Sequence, residues 1–247
     1  MIPVISSAIY LVYALIFFLA IVIRYFLAAG LFYWYYFIWR SEEFRAKRLG
    51  RHKLRRGQVK KEILWSVKSS LIFALFGTIT YWLWENELTA IYLEPSRYGW
   101  WYLPLSLLLV LLIHETYYYW VHRWMHHPSV FRRVHKVHHD SLTPTPWTAF
   151  SFHPWESLIE AIILPLILMI IPIHIYVLGF YLLLMTLSSV INHLDIEIFS
   201  ESFRNSWLGK QLINATHHHF HHEEFKTNYG LYFTFWDRWM GTESRKI

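Results

Sequence analysis

Three short histidine motifs stand out because their spacing suits one face of a helix. They are His122-x3-His126, His135-x2-His138-His139 and His218-x2-His221-His222. Residues at positions i, i+3 and i+4 of a helix lie on the same side, so each motif is predicted to direct its imidazoles toward one point. Imidazole is the commonest protein ligand for transition metals. The predicted chemistry is therefore metal binding.

The number of histidines indicates more than one ion. Twelve of the sixteen histidines lie within residues 114–139 and 217–222. The three motifs supply eight candidate ligands, and His193, which follows an apolar segment, is a ninth. One ion takes about four to six ligands, so two ions are expected. All-imidazole ligation suits iron, zinc, copper or nickel, and the residues alone do not choose among them.

Two further side chains share the helical face of the first motif. Glu115, Tyr119, His122 and His126 follow one another at steps of four, three and four residues. Metal-bound imidazoles are commonly held by a carboxylate on their other nitrogen. Glu115 is therefore a candidate acceptor that orients an imidazole, with Tyr119 beside it.

The remaining histidines outside the motifs are assigned lesser roles. His153 precedes a proline and is equally compatible with the ligand shell and with a structural role. His217 and His219 are expected to be hydrogen-bonding neighbours and not ligands. His52 and His174 lie far from the motifs along the chain, and we expect them to be solvated or at the lipid interface.

The composition is that of a membrane protein. The chain is 55% hydrophobic and 20% aromatic, and only 16% of its residues are charged. A membrane-spanning helix needs about 20 mostly apolar residues. The chain has no cysteine, which excludes disulfides, iron–sulfur clusters and thiolate zinc sites. The first apolar segment has neither a charged start nor a cleavage pattern, so it is expected to be a membrane segment and not a signal peptide.

Four apolar segments are expected to place the motifs. The first is either one tilted span with an interfacial stretch or two short segments, and the last, with two internal prolines, matches two short helices. These predict an all-α integral membrane protein with about four to five transmembrane or partly penetrating helices. The segments are residues 3–39, 63–84, 100–121 and 157–190.

Charge predicts the sidedness of these segments. Residues 40–61 contain ten basic side chains, whereas residues 85–99 contain three acidic side chains and one basic one. Such a basic run could bind nucleic acid, but its place between two apolar segments favours a cytoplasmic loop that meets anionic lipid. Counting spans from this loop puts all three motifs in a histidine-rich helical cap on the cytosolic face. No nucleic-acid partner is expected.

The motifs and several flanking residues resemble those of the fatty acid hydroxylase and sterol desaturase superfamily of membrane di-iron enzymes. The resemblance covers residues 103–242, and its C-terminal part is similar to the sterol desaturase-like branch. Besides the three histidine motifs it rests on Tyr119-Trp120-Val121-His122-Arg123, His153-Pro154-Trp155-Glu156, Asn228-Tyr229-Gly230, Trp236-Asp237-Arg238 and Gly241-Thr242.

The resemblance implies the cofactors and the reaction. It implies two iron ions, O2 as co-substrate, and hydroxylation or desaturation of a C–H bond in a sterol, a fatty acyl chain or another membrane lipid. It also implies a separate electron donor of the cytochrome b5 or ferredoxin type, and a bacterial inner membrane or the endoplasmic reticulum as location. We expect a single membrane domain, residues 1–247, in which residues 1–100 form the N-terminal spans and basic loop and residues 101–247 form the catalytic region.

One position departs from the resemblance. Some fatty acid hydroxylases carry two histidines four residues apart before the last motif, whereas here His193 is preceded by Ser189 at that spacing. One ligand is therefore absent or is supplied by water, by His153 or by another side chain. Asp237, in the C-terminal part of the resemblance, is a further candidate for a residue that supports the ligands.

Two hypotheses from other functional classes also account for part of the sequence. A membrane protein that binds or transports metal without catalysis would also need many imidazoles, but transport favours ligands near the middle of the bilayer. The motifs are expected at one membrane face, which argues against transport. A polybasic lipid-binding scaffold would account for residues 40–61 and would leave the histidines unexplained.

Overall fold

Long apolar helices dominate the chain. The computed structural model describes residues 7–50 and 53–247. Helix α1 (Ser7–Tyr33) continues through a π-helical turn at Trp34–Trp39, and α3 (Gln58–Glu85) follows the basic loop and a short α2 (Ser41–Arg45). The first apolar segment is thus one continuous helix. Residues 3–6, Arg51 and His52, about which the sequence made predictions, lie outside the described residues.

The second half of the chain adds three more long helices and several short ones. They are α4 (Tyr102–Met125), α5 (Pro128–Val134), α6 (Lys136–His139), α7 (Pro154–Ile170), α8 (Ile175–Asn192), α9 (Glu201–Asn205), α10 (Ala215–Glu224) and α11 (Phe235–Trp239). Single 3-10 turns lie at Pro146–Phe150 and Gly209–Gln211. The apolar segment with two prolines forms α7 and α8, as predicted.

Three helices of the described chain are long and apolar enough to cross a membrane: Ala8–Trp39, α3 and α8. Large apolar side chains of α1, such as Leu11 and Leu27, are more than half exposed, as expected of a surface that faces lipid. Helices α4 and α7 pack beside these three. The prediction of an all-α integral membrane protein is confirmed.

Hydrogen bonds and a close approach join α1 to α3. The Tyr10 hydroxyl donates to Glu85 (3.1 Å), and the Tyr81 hydroxyl donates to that of Tyr13 (3.0 Å). Gly77 allows the ring of Phe17 to approach closely, since a Cβ at position 77 would lie 3.2 Å from the ring. Small residues and polar bonds of this kind hold helices together where lipid supplies no hydrophobic driving force.

A pair of two-residue strands fastens the loops at one end of the helices. Strand β1 (Ile91–Tyr92) pairs in parallel with β2 (Ile173–His174), with Ile91 opposite Ile173. His174 is 1% exposed; its Nδ1 accepts from the backbone N–H of Tyr176, and its Nε2 lies 2.9 Å from the carbonyl oxygen of Leu93. The expectation that His174 is solvated or interfacial is wrong, because capping α8 and bonding the opposite loop bury it.

A buried carboxylate fixes the loop that follows α6 at the other end of the helices, called here the histidine end. Glu62 of α3 is 2% exposed. It accepts hydrogen bonds from the hydroxyls of Ser141 (2.7 Å) and Thr145 (2.6 Å) and from the amide of Gln58 (2.8 Å). Charge-assisted bonds of this kind are stronger than neutral ones. They attach the second histidine motif to the membrane helices.

Candidate metal centre

Nine buried or half-buried imidazoles meet at the histidine end in two groups. Within each group the ligand nitrogens lie within 4.8 Å of one another. Each of the nine histidines predicted from the sequence as a ligand belongs to one of the two groups, and no other residue joins them among the described parts of the chain. The five-histidine group is His122, His126, His135, His139 and His221, and the four-histidine group is His138, His193, His218 and His222.

The second and third motifs are each divided between the two groups. His135 and His139 join the five-histidine group, whereas His138 joins the other. In α10 the division is reversed, since His218 and His222 belong to the four-histidine group and His221 does not. The expectation that each motif points at one place is therefore wrong for these two. Consecutive helical residues are rotated by about 100°, so positions i+3 and i+4 diverge enough to serve two neighbouring ions.

Hydrogen bonds from Nδ1 orient four of the imidazoles. A carbonyl or carboxylate oxygen only accepts, so Nδ1 carries the hydrogen in each case and Nε2 keeps its lone pair. The acceptors of His122, His135, His221 and His193 are the Tyr229 carbonyl (2.9 Å), the Glu156 carboxylate (2.6 Å), the Thr227 carbonyl (2.7 Å) and the Ser189 carbonyl (2.7 Å).

The Nε2 atoms of the oriented rings lie so close together that their lone pairs would repel each other without a cation between them. The Nε2 atoms of His122 and His135 are 3.0 Å apart, although both imidazoles use their hydrogen elsewhere. In the other group Nε2 of His193 is 3.1 Å from that of His138 and 2.8 Å from that of His218. Two nitrogens bound at right angles to one ion at about 2.1 Å are about 3.0 Å apart. The arrangement fits a shared cation in each group.

Burial keeps these imidazoles in the form that binds metal. It lowers the pKa of His193 and of His221 from 6.5 to about 4, and it lowers the pKa of His138 and His218 well below 6.5. Neighbouring imidazoles lower the pKa of His138 and His218 further, because two positive rings repel each other. At neutral pH the rings are uncharged, as metal ligation requires.

Glu156 is the carboxylate that holds a ligand. It lies in the first turn of α7, is fully buried, and its Oε1 is 2.6 Å from Nδ1 of His135. The expected bond from an imidazole to Glu115 is not formed among the described residues. The sequence signal for Glu156 is its place in His153-Pro154-Trp155-Glu156, four residues that belong to the family resemblance.

His153 lies outside both groups. Its Nδ1 accepts from the backbone N–H of Trp155 (3.3 Å), so the side chain caps the start of α7. An N-cap satisfies one of the free N–H groups at a helix start. The cap fixes the first turn of α7, and thereby the position of Glu156.

Two other carboxylates hold the segment that carries the Tyr229 carbonyl. Asp237 accepts from the backbone N–H groups of Tyr229 (2.9 Å) and Gly230 (2.8 Å). Glu115 accepts from the N–H groups of the next three residues, most closely Tyr232 at 2.6 Å. Both candidates from the sequence thus support His122 through the backbone and not by touching an imidazole.

Gly230 lies between these two carboxylates. A Cβ at this position would lie 2.9 Å from Oε1 of Glu115 and 3.1 Å from Oδ2 of Asp237. It would also lie 2.5 Å from the carbonyl oxygen of Phe233, closer than real Cβ atoms come. The position requires a residue without a side chain for reasons of space.

Tyr119 braces the same segment from α4. Its hydroxyl is 2.9 Å from Oγ1 of Thr242 and accepts from Arg123 at 3.2 Å. Thr242 in turn donates to Asp237 (2.7 Å), and the ring of Tyr119 stacks on Trp236 with centroids 5.7 Å apart. Tyr119 therefore fixes the C-terminal residues against the first motif.

The histidines outside the groups have polar partners. Nδ1 of His217 is 2.8 Å from Oδ1 of Asn214, as expected of a hydrogen-bonding neighbour. Nδ1 of His219 lies 3.2 Å from the carboxylate of Asp195 but forms no hydrogen bond with it. His114, one of the twelve clustered histidines, lies 2.6 Å from the hydroxyl of Tyr181.

Ser189 contributes no ligand atom to the four-histidine group. Its hydroxyl donates to the carbonyl oxygen of Ala149 (2.9 Å), and only its backbone oxygen serves the site, as the acceptor for His193. Neither His153 nor another protein side chain replaces the missing imidazole among the described residues. The two groups therefore differ by one protein ligand.

A largely apolar cavity of about 620 Å³ leads from the membrane helices to the four-histidine group. Its walls include Phe17, Phe76 and Leu178, and His193 and His218 lie at one end. No member of the five-histidine group lines it. The cavity has the size and lining of a site for a small hydrophobic ligand.

Comparison with known proteins agrees with this arrangement. Residues 107–242 match the family model described as fatty acid hydroxylase. This chain is 30% identical over 210 residues to a Delta(7)-sterol 5(6)-desaturase of Gibberella zeae, covering 84% of this chain and 61% of the relative. It is 33% identical over 192 residues to the lathosterol oxidase of Mus musculus, covering 76% and 62%.

The human lathosterol oxidase gives a similar result, 30% identity over 191 residues with 76% and 62% coverage. The chain thus spans about three fifths of the length of the curated relatives it matches. No solved structure matches the chain.

Proposed function

This chain belongs to the fatty acid hydroxylase family, and we propose that it is a membrane di-iron oxidoreductase that uses O2 to hydroxylate or desaturate a C–H bond of a lipid. The observation that carries the proposal is the end of the apolar cavity at His193 and His218. Because its relatives are named for sterols, a sterol is the first lipid to test.

The protein residues supply a rigid, uncharged and dry site. The nine imidazoles would hold two iron ions, which supply the activation of O2 that oxidation of an unactivated C–H bond requires. Glu156 and the carbonyls of Tyr229, Thr227 and Ser189 fix the tautomers and ring orientations of four ligands. The apolar cavity wall would exclude water from the reacting carbon.

The reaction needs electrons from outside this chain. Hydroxylation converts RH, O2, two electrons and two protons into ROH and water, and desaturation uses the same inputs to give an alkene and two waters. We propose a separate donor of the cytochrome b5 or ferredoxin type. It would approach the histidine end from the cytoplasm, the side on which the basic loop of residues 40–61 is expected.

The test measures iron, O2 uptake and lipid products together. Purified protein should contain about two iron ions per chain and should consume O2 only when both a reductant and the lipid are present. Lipids of cells that express the protein should show a mass gain of one oxygen or a loss of two hydrogens. Cells that express His138→Ala serve as the control.

Metal-free protein that neither binds iron nor consumes O2 would refute the proposal. Iron-loaded protein that never consumes O2, but moves metal across proteoliposome membranes, would instead support the non-enzymatic alternative.

A further inference from the structure

The two histidine groups differ in the aromatic rings that contact them. The ring of Tyr229 packs against His122, His126 and His221 of the five-histidine group, with centroids 5.6, 5.3 and 5.7 Å apart. Among the described residues the rings of the four-histidine group contact only other imidazoles and the ring of Phe152. Phenol and indole rings can give up one electron to a strong oxidant, whereas phenylalanine does not. An easily oxidised ring is therefore present only beside the five-histidine group.

Further aromatic rings lead from Tyr229 to the protein surface. Tyr119 is fully buried, and its ring centroid lies 6.1 Å from that of Tyr229. Trp236 stacks on Tyr119 at 5.7 Å, and Trp239, which is 69% exposed, follows Trp236 at 5.4 Å. Trp120 also contacts both Tyr119 (5.4 Å) and Trp236 (5.6 Å) and is 45% exposed. These distances are those of direct ring contact, so the rings from Tyr229 to Trp239, called here the aromatic chain, are continuous.

Tyr119 differs from the other phenols near the metal centre because a proton acceptor is in place. Its hydroxyl lies 2.9 Å from Oγ1 of Thr242, which donates to Asp237 at 2.7 Å. Since Thr242 uses its hydrogen on the carboxylate, the Tyr119 hydroxyl donates to Thr242. A phenol that loses an electron also loses its proton, which here can move to Thr242 while Thr242 passes its own to Asp237. Among the described residues the hydroxyls of Tyr118 and Tyr229 form no hydrogen bond.

The outer end of the aromatic chain lies beside charged groups. Arg238, the residue before Trp239, forms an ion pair with Glu243 at 3.0 Å and donates to the carbonyl oxygen of Lys210 at 2.6 Å. Charged groups remain hydrated where they can, so a water-soluble reductant can approach the indole of Trp239. The aromatic chain therefore ends where electrons can be supplied from solution.

We propose that the aromatic chain carries oxidising equivalents away from the metal centre when O2 is reduced there and no substrate is bound. Tyr119 gives one electron to the centre through the ring of Tyr229, and its proton moves toward Asp237. The Tyr119 radical then takes an electron from Trp236 and recovers its proton, and Trp236 takes an electron from Trp239. A soluble reductant of the ascorbate or thiol class restores Trp239. This inference rests on the proposed function and adds a protective route to it.

The electrons balance over two passages along the aromatic chain. During lipid oxidation the external donor supplies two electrons and the lipid supplies the other two that O2 requires. Without lipid the donor again supplies two, and two more pass singly along the aromatic chain, so that O2, four electrons and four protons give two waters. The phenol and the indoles end as they began, and the soluble reductant is oxidised. The ligands are thereby spared the side reactions of an activated site that holds no substrate.

The test is freeze-quench electron paramagnetic resonance of reduced, iron-loaded protein mixed with O2 in the absence of lipid. We expect the signal of a neutral tyrosyl radical, which ascorbate removes. Tyr119→Phe should lose this signal because the phenol is gone, and Thr242→Val should lose it because the proton acceptor is gone. Thr242→Ser, which keeps the hydroxyl, should retain it.

A matched control and a second variant separate electron transfer from a structural role. Tyr118 also contacts His122, with centroids 5.0 Å apart, but lies outside the aromatic chain, so Tyr118→Phe should keep the signal. The double variant Trp120→Phe with Trp236→Phe leaves Tyr119 in place and should retain the radical, while its decay with ascorbate becomes several-fold slower. Peptide mass spectrometry at equal iron content should find more oxidised ligand histidines in Tyr119→Phe than in the wild type.

Three outcomes overturn the protective route. They are the absence of a tyrosyl radical in iron-loaded wild-type protein that reduces O2, a radical that persists in Tyr119→Phe and is lost in Tyr118→Phe, and decay at the wild-type rate in the double tryptophan variant. Iron-loaded protein that oxidises a lipid but gives one of these results refutes the route alone.

Metal-free protein tests the aromatic chain independently of the di-iron function. Flash photolysis with a ruthenium tris(bipyridine) photo-oxidant removes an electron from exposed indoles, and the oxidation should reach Tyr119 through Trp239 and Trp236. A tyrosyl absorption that is reduced in Tyr119→Phe and unchanged in Tyr118→Phe would support the aromatic chain even if the protein takes up no iron, and equal absorption in both variants would refute it.

Discussion

The two histidine groups are built from the same parts and differ at two points. Each takes a pair four residues apart from one motif and a single histidine from another: His135, His139 and His221 in one, and His218, His222 and His138 in the other. The five-histidine group then adds a second such pair, His122 and His126, whereas the four-histidine group adds only His193.

The second difference is in their surroundings. Three members of the five-histidine group donate from Nδ1 to fixed oxygens, and none of its members faces the cavity. Nδ1 has no partner in two of the four rings of the four-histidine group, His138 and His222, and in one of the five rings of the other group, His139. His193 and His218 of the four-histidine group line the cavity. The group with fewer ligands and fewer bonds is thus the one that substrate can reach. We infer that the five-histidine group is the anchor and the four-histidine group the reacting end.

Removing one ligand from each group should give the largest contrast. His193→Ala leaves three imidazoles and should lower activity by more than about 100-fold, beyond the loss typical of an outer partner. His126→Ala leaves four, the number that the other group has, and should cost markedly less. Iron content and turnover of the two variants decide the question, and equal losses would contradict the assignment of anchor and reacting end.

Loss of the carboxylate behind His135 should have the next largest effect. Glu156→Ala should weaken iron binding by about 10- to 100-fold, because the ring loses the acceptor that sets its tautomer. Glu156→Gln, whose amide oxygen still accepts, should lose less. Competition with a chelator measures the affinity. Release of iron from the four-histidine group first would argue against a local role.

A histidine at position 189 should make the two groups alike. Ser189→His places an imidazole four residues before His193, as His122 stands to His126. We expect firmer iron retention and turnover that is several-fold slower, since the new ring also enters the cavity. Ser189→Phe, which fills space without a ligand nitrogen, is the control. Identical iron retention in both variants would show that the position cannot contribute a ligand.

Acidification should give the smallest difference between the two histidine groups. The pKa of His193 and that of His221, one from each group, are both lowered to about 4. Between pH 6.5 and about 4 the unfolded chain takes up protons at these rings and the folded chain does not, so metal-free protein should lose stability as pH falls through that range and be unaffected above it. Thermal unfolding at several pH values measures this. Stability that rises as pH falls would show that the rings are charged in the folded state.

Much of the metal centre was predictable, because histidine spacing on helices is visible in a sequence. The length and the two prolines of the apolar segment 157–190 likewise predicted the α7–α8 hairpin. The division of the α6 and α10 histidines between the two groups was not predictable. Spacing shows which face of a helix carries the rings, but it does not show which of two neighbouring sites each ring reaches.

The acceptors behind the ligands were harder to foresee. Three of the four are backbone carbonyls, such as that of Tyr229, and a carbonyl leaves no trace in residue type. Glu115 and Asp237 were candidates from the sequence, but they bind backbone N–H groups, which lie 117 residues away for Glu115 and Tyr232 and 8 residues away for Asp237 and Tyr229. The burial of His174 depends on pairing between two loops, and no local sequence pattern predicts that pairing.

The lack of room for a side chain at Gly230 predicts where an inactivating mutation could occur. A methyl group there would push Glu115 and Asp237 apart and release the segment that supports His122, so even the smallest missense change should inactivate the protein. The lesion would lie eight residues along the chain from the nearest ligand, His222, in a position that carries no chemistry of its own. Alleles of this protein that lose activity while every histidine is intact should therefore be sought first at this glycine.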